Sequence, residues 1–319
     1  MRKCVVTGVA GFIGSNLAEH LLTLGDEVAG IDNFSTGKEK NIERLRASLK
    51  PQEQERFTLV RGDIRDAELC REACRGAAVV FHHAALVSVP LSVEQPRETF
   101  DINCGGFLNI LQAARANGCR VIYASSSAVY GDHPELPKRE TSPLAPLSPY
   151  GLAKMENEQW AALYWKQYGV PTIGFRYFNI YGPGQDPHGA YAAVIAAWSA
   201  AFRRGEKAIV YGDGTATRDF CFVGDVVQAN VLAAGVEDAR AFGSVFNIGS
   251  GRSVTLLQLF KALQHASDAP GAPLAFAPSR PGDILHSSAD IERACAVLGY
   301  TPRFPLEEGL RLLLNAEQR

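Results

Sequence analysis

Hydrophobic and polar positions along this chain alternate between two periods. Cys4-Val5-Val6 is a short apolar run, and from Ser15 to Leu24 apolar residues recur at helical spacing. Further strand-like runs cover Glu27 to Ile31, Phe57 to Val60, Val79 to Phe81, Arg120 to Ala124 and Pro171 to Arg176. Helical patterns lie near Lys38 to Leu49, over the long stretch Val93 to Asn117, and from Tyr150 to Tyr168. Strands and helices in alternation, joined by right-handed crossovers, predict an α/β fold with a doubly wound parallel sheet of the Rossmann type. The rhythm loosens from Gly182 onward into loops, helices and short strands. The predicted organisation is a sheet domain over 1–180 and a smaller C-terminal α/β domain over 181–319, the second set against the switch point of the first to make a substrate cleft.

The first strand runs into Thr7-Gly8-Val9-Ala10-Gly11-Phe12-Ile13-Gly14 and then into a helix. Small residues there allow a tight turn and close backbone approach, and a helix N-terminus receives a pyrophosphate. The spacing is G-x-x-G-x-x-G, and strand, turn and helix together point to dinucleotide binding. Asp32 ends the next strand about twenty residues on, where a carboxylate can accept from ribose hydroxyls and would repel a 2′-phosphate. NAD is therefore expected over NADP. Asp32 and Asn33 also precede a helical segment, so a helix-capping role stands beside ribose binding.

Ser148-Pro149-Tyr150-Gly151-Leu152-Ala153-Lys154 carries the candidate chemistry. Ser148 suits an N-cap and Pro149 the first helical position, which puts Tyr150 in the first turn with Lys154 one turn later on the same face. The cation and the positive helix end both favour a phenolate, the form in which tyrosine is a base. Alone, the same spacing describes an amphipathic helix with a half-buried tyrosine and a solvated lysine. Ser125-Ser126-Ser127 end the fifth strand, at the sheet edge where ligands bind. His82 and His83 are adjacent on a strand and point to opposite faces, which suits packing better than a metal.

Composition narrows the field. The chain has 319 residues, 46% hydrophobic and 21% charged, with 32 basic and 34 acidic side chains and a formal net charge of -2. That is a globular composition with no global field toward nucleic acid or a membrane surface. No apolar run reaches spanning length and no signal-peptide core follows Met1, so a cytoplasmic protein is expected. Seven scattered cysteines argue against a disulfide framework, and Cys70 and Cys74, on one helix face, lack partners for a zinc site. No metal is expected.

Taken in order, Thr7-Gly8-x-x-Gly11-x-x-Gly14, Asp32-Asn33-Phe34-Ser35-Thr36-Gly37, Ser125-Ser126-Ser127, Tyr130-Gly131-Asp132, Ser148-Pro149-Tyr150-x-x-x-Lys154, Arg176-Tyr177-Phe178-Asn179, Arg218-Asp219-Phe220 and Arg280-Pro281-Gly282-Asp283 span nearly the whole chain. In this spacing the sequence resembles the extended short-chain dehydrogenase/reductase family, and within it the nucleotide-sugar 4-epimerases. The resemblance implies Tyr150 as catalytic base, Lys154 as the residue that binds the nicotinamide ribose and lowers the tyrosine pKa, and Ser126 as the hydroxyl bonded to the sugar O4. It assigns Gly8, Gly11, Phe12, Ile13, Gly14, Asp32, Asn33, Asp63, Ile64, Ala84 and Tyr177 to NAD. To a UDP-sugar it assigns Ser88, Ser127, Asn179, Ala193, Tyr211, Arg218, Arg280, Asp283 and Ser287. Arginines suit diphosphate because a guanidinium grips its oxygens bidentately; surface salt bridges are their other reading.

The implied activity is NAD-dependent 4-epimerisation, with UDP-GlcNAc and UDP-GalNAc as the expected pair. Ser287 stands where the resemblance places a bulky tyrosine in enzymes restricted to UDP-glucose and UDP-galactose; it could instead cap a helix over Ala289 to Leu298. UDP-N-acetyl-uronates and UDP-glucose are the alternative substrates, and a non-catalytic NAD-binding sensor is the alternative of another class. Ser127-Ala128 replace the Asp-Glu that the resemblance would require for a dehydratase. A homodimer through the helices around Val93 to Asn117 and Tyr150 to Tyr168 is also implied.

Overall fold

All six apolar runs become strands, and each extends beyond its predicted C-terminal end. In the computed structural model, which describes residues 1–186, 194–267, 271–279 and 285–317, they are β1 (Lys3–Thr7), β2 (Glu27–Asp32), β3 (Phe57–Arg61), β4 (Val79–His82), β5 (Arg120–Ser126) and β6 (Thr172–Tyr177). The helices of this part are α1 (Phe12–Thr23), α2 (Glu39–Ser48), the single turn α3 (Pro51–Gln54), α4 (Ala67–Ala73), α5 (Val89–Glu94), α6 (Pro96–Phe100), α7 (Gly106–Asn117) and α8 (Pro149–Tyr168). Beyond them lie β7 (Asn179–Tyr181), α9 (Val194–Arg203), β8 (Ala208–Tyr211), β9 (Thr217–Phe222), α10 (Val223–Gly235), β10 (Ser244–Ile248), β11 (Ser253–Thr255), α11 (Leu256–Ala266), β12 (Leu274–Ala277), α12 (Glu292–Leu298) and α13 (Leu306–Glu317).

The main sheet is parallel and ordered β10-β6-β5-β4-β1-β2-β3. The direction of winding reverses between β1 and β4, which puts the ligand crevice beyond the carboxyl ends of these two strands. Strand periodicity sends Val5 and Val6, both fully buried, to opposite faces. Val6 joins Leu17, Leu21 and Phe175 beneath α1, while Val5 joins Phe107, Leu111 and Ala161 beneath α7 and α8. A third cluster, including Trp198, Phe222, Phe260 and Leu310, holds the C-terminal part.

Two expectations need correction. The sheet does not end at residue 180: β10 supplies its edge strand, pairing with β6, so the chain crosses the expected boundary more than once. The long helix over Val93 to Asn117 is broken. Pro96 disfavours helical backbone at Gln95 (φ -128°, ψ 61°), and Asp101–Gly105 form a π-turn. From that turn Asn103 accepts from the Leu86 backbone N–H (2.8 Å) and donates to its carbonyl (3.0 Å), fixing the loop after β4.

Candidate active site

The turn after β1 is shaped so that only glycine fits. Gly8 has φ +70°, and a Cβ there would lie 2.8 Å from the Ala84 nitrogen; one on Gly14 would lie 2.2 Å from the Gly8 carbonyl oxygen. Gly11 precedes α1 without any side-chain cap, and Phe12 and Ile13 form the first helical turn. This leaves a backbone cradle at a helix N-terminus, as a pyrophosphate requires. Thr7 Oγ1 receives the backbone N–H groups of His83 (3.2 Å) and Ala84 (3.1 Å). Its own proton therefore points to His82 Nδ1, 2.9 Å away, which puts the histidine proton on Nε2. His82 packs against Phe107, in keeping with a packing role.

Asp32 does not cap α2, whose N-cap is Lys38. Its carboxylate accepts from Ala10 N and Phe34 N, both at 2.8 Å, tying the glycine turn to the loop after β2. Each oxygen retains a further acceptor site for ribose hydroxyls. Burial pushes this carboxyl up. Asn33 donates to Asp63, and the bidentate Arg65 holds the Asp63 carboxyl down at about 2. Ile64 is buried against Gly106. The residues present fit a dinucleotide.

The helix α8 opens as its sequence predicts. Ser148 Oγ accepts from Gly151 N at 3.1 Å and Pro149 is the first helical residue. The Tyr150 backbone N–H is held by Ser92 Oγ at 3.2 Å. Lys154 is 2% exposed, not solvated; its Nζ donates to the Ala124 carbonyl at 2.8 Å and lies 5.9 Å from the centre of the Tyr150 ring. Burial pushes Lys154 down to about 8. The expected net lowering of the tyrosine is not found in the protein alone: burial raises the Tyr150 phenol, and a hydrogen bond with Ser126 pulls it part-way back. Ser126 Oγ accepts from Ala128 N, so its proton is left to donate. Ser127 opens the short 3₁₀ turn that follows.

Around this centre the expected substrate residues, and Tyr177 of the expected cofactor set, fall on several elements. Ser88 caps α5 in the loop after β4. Tyr177 ends β6, where its ring stacks on His83 at 6.1 Å and its hydroxyl accepts from Asn230. Asn179, on β7, donates to the Asp219 carbonyl on β9. Arg218 Nη1 donates to the carbonyls of Thr217 and Leu285, and Tyr211 ends β8. Ser287 lies in a segment that runs beside β9, its N–H donating to the Thr217 carbonyl at 3.1 Å. It does not cap a helix, since α12 starts later with Ile291 at its N-cap. Ala193, Arg280 and Asp283 lie outside the described residues. Among the described residues no group of three or more His, Cys, Asp or Glu could hold a metal.

Several positions had no role of their own in the sequence reading, although Asp219, Arg176 and Ser125 stand in the quoted motifs. Asp219, fully buried, accepts from Ser250 N, Ser250 Oγ, Gly251 N and Ala289 N, clamping the Ser287 segment onto β9. Glu158 and Arg176 form a buried bidentate pair, with N–O distances of 2.9 and 2.7 Å, and Ser125 Oγ donates to Glu158. Glu158 could have been found by continuing the four-residue step from Tyr150 through Lys154. Asp219 stands in a quoted motif, but its clamping role had no such signal, because its partners are far away in the chain.

A family model described as the NAD dependent epimerase/dehydratase family matches residues 4–249. The chain belongs to this family. It uses NAD, as the cradle predicts. This family member is 38% identical over 311 residues to a UDP-glucose 4-epimerase of Mycolicibacterium smegmatis, covering 97% of this chain and 96% of that protein. Its fold is similar to a UDP-N-acetylglucosamine 4-epimerase of Methanobrevibacter ruminantium in complex with UDP-N-acetylmuramic acid (TM-score 0.92, 34% identity, 99% and 98% of the two chains). It is also similar to a Thermus thermophilus UDP-glucose 4-epimerase in complex with NAD (TM-score 0.85, 36% identity, 99% of each chain).

Proposed function

We propose that this protein is a UDP-sugar 4-epimerase that interconverts UDP-GlcNAc and UDP-GalNAc and accepts UDP-glucose and UDP-galactose less well. The observation that carries the chemistry is the meeting of Tyr150, Ser126 and the buried Lys154 at the end of β5, on the same carboxyl edge of the sheet as the glycine cradle, with β4 between them. Tyr150 takes the proton of the sugar 4-hydroxyl and returns it to the oxygen at the end of the cycle. Ser126 donates to O4 and orients it. Lys154, fixed by Ala124, holds the nicotinamide ribose and supplies positive charge near the phenol. NAD, when bound, would be held by the glycine cradle, Asp32 and Lys154 and would supply reversible hydride chemistry at the sugar C4. The 4-ketose turns over between the two steps, and nothing is consumed. Tyr150→Phe should lower kcat at least about a hundredfold with NAD still bound, because it removes the proton acceptor and little volume. Near-normal turnover would sink the assignment.

The N-acetyl preference rests on the small side chain of Ser287 and the clamped segment that carries it. The similarity to a UDP-N-acetylglucosamine 4-epimerase supports it, and similarity to UDP-glucose 4-epimerases supports the second pair. Proton NMR of the holoenzyme with UDP-GlcNAc, UDP-glucose and the uronates, without added NAD, separates these readings and also a non-catalytic sensor. Ser287→Tyr should depress kcat/KM for UDP-GlcNAc far more than for UDP-glucose, since overpacking penalises the larger substituent. Equal losses would remove Ser287 as a determinant. We also propose a homodimer in the cytoplasm. Exposed Val93, Phe100 and Leu152 on α5, α6 and α8 support the dimer, and the free thiols of all seven cysteines suit a reducing compartment.

A further inference from the structure

Three turns of α8 meet three consecutive residues of β5. Tyr150 is near enough to Ser126 for the serine hydroxyl to favour its phenolate, Lys154 Nζ donates to the Ala124 carbonyl at 2.8 Å, and Glu158 Oε1 accepts from Ser125 Oγ at 2.5 Å. Steps of four residues keep all three side chains on one helical face. The proposed reaction uses the first two contacts and leaves the third without a role.

That third contact is built differently from the others. Lysine reaches its carbonyl through a long, flexible stem, and the tyrosine must exchange partners during the reaction, so neither defines where the helix sits. Ser125 is short and 2% exposed, and Glu158 is locked by Arg176 of the neighbouring strand through two parallel bonds of 2.9 and 2.7 Å. A buried ion pair is a weak device for stability alone, because desolvation offsets most of its attraction. It is a good device for register, because bidentate geometry tolerates little displacement. The same anchor continues from Arg176 Nη1 to Tyr130 OH (2.9 Å), from there to Asn247 Oδ1 (2.6 Å), and from Asn247 Nδ2 to the Asp290 carbonyl (3.1 Å), close in the chain to Ser287.

We infer that Ser125 and Glu158 are positioning residues for the reaction: their bond fixes the register of α8 on β5 and so the distance between the Tyr150 phenol and the Ser126 hydroxyl. This rests on the reading of Tyr150 as the base. Ser125 is the chain neighbour of Ser126, so a shift of one moves the other, and a misplacement of about 1 Å can cost roughly a hundredfold in rate.

The test is Ser125→Ala in the NAD-loaded enzyme, which removes the third contact and leaves the Glu158–Arg176 pair whole. Bound NAD per protomer, melting temperature, kcat, KM and the pH dependence of kcat are measured, with Tyr150→Phe in parallel. The expected result is a loss of about tenfold to a hundredfold in kcat, with KM, NAD content and melting temperature close to wild type. The acidic limb should move to higher pH, because a displaced Ser126 no longer favours the phenolate. Ser125→Thr, which restores the hydroxyl on a strand that tolerates branching, should recover most of the rate per NAD-loaded protomer. Wild-type kcat and pH profile in Ser125→Ala, with Tyr150→Phe inactive, would overturn the positioning role alone. An active Tyr150→Phe would overturn the base assignment beneath it. A kcat loss matched by a fall in melting temperature and NAD content would mark the contact as merely structural.

Discussion

Tyr150 and Lys154 feel the same burial in opposite senses, because desolvation penalises the charged form of each. The phenol is pushed up and the ammonium down to about 8. Catalysis needs the tyrosine without its proton and the lysine with it, so activity should fall on both sides of an optimum. On the alkaline side Lys154 loses its charge as pH passes about 8, and with it the attraction that favours the phenolate. A pH profile of kcat should therefore decline above that value. Lys154→Arg, charged throughout the accessible range, should have a lower maximum but no such decline. A wild-type profile still rising at pH 10 would contradict this. The positions of both residues were legible from a four-residue spacing; their protonation was not, since burial is a property of everything packed around them.

At the scale of elements, caps and turns followed from local chemistry, and the failure of the capping alternative at Asp32 is instructive. A carboxylate just before a helical pattern suits an N-cap, but the chain turns through Phe34, at φ +58°, before α2 begins. The carboxylate therefore faces the glycine turn. Asp32→Ala should weaken NAD binding and relax discrimination against NADP, read by titrating both cofactors into cofactor-stripped protein. It should also cost about 1–3 kcal/mol of stability, as two enclosed N–H groups lose their acceptor. An unchanged cofactor preference would leave Asp32 as a loop anchor only. The broken helix over 93–117 was legible in Pro96, whereas the π-turn was not: it serves Asn103 and Leu86, which are distant in sequence.

At the scale of the molecule, some of the apolar residues left outside the core lie together around α5, α6 and the start of α8. Phe100 is 49% and Leu152 51% exposed, and they flank a groove of about 490 Å³ that Leu147, Pro149 and Cys104 help to line. Exposed apolar surface of this kind is what the proposed dimer would cover. Phe100→Glu should convert the proposed dimer to a monomer in light scattering, with the melting temperature of the isolated fold little changed. A wild-type monomer at working concentration would remove the dimer from the proposal.

The sequence by itself determined the alternating strands and helices, the glycine turn, the Ser148 cap and the one-face arrangement of Tyr150 and Lys154. Each of these depends on residues within a few positions of one another, where backbone sterics and helical or strand period act. The tertiary structure alone decided that β10 completes the sheet, that Asp219 holds Ala289, and that Glu158 joins Ser125 to Arg176. Those choices pair groups distant in the chain, and their strength comes from shared exclusion of water. No local period encodes that.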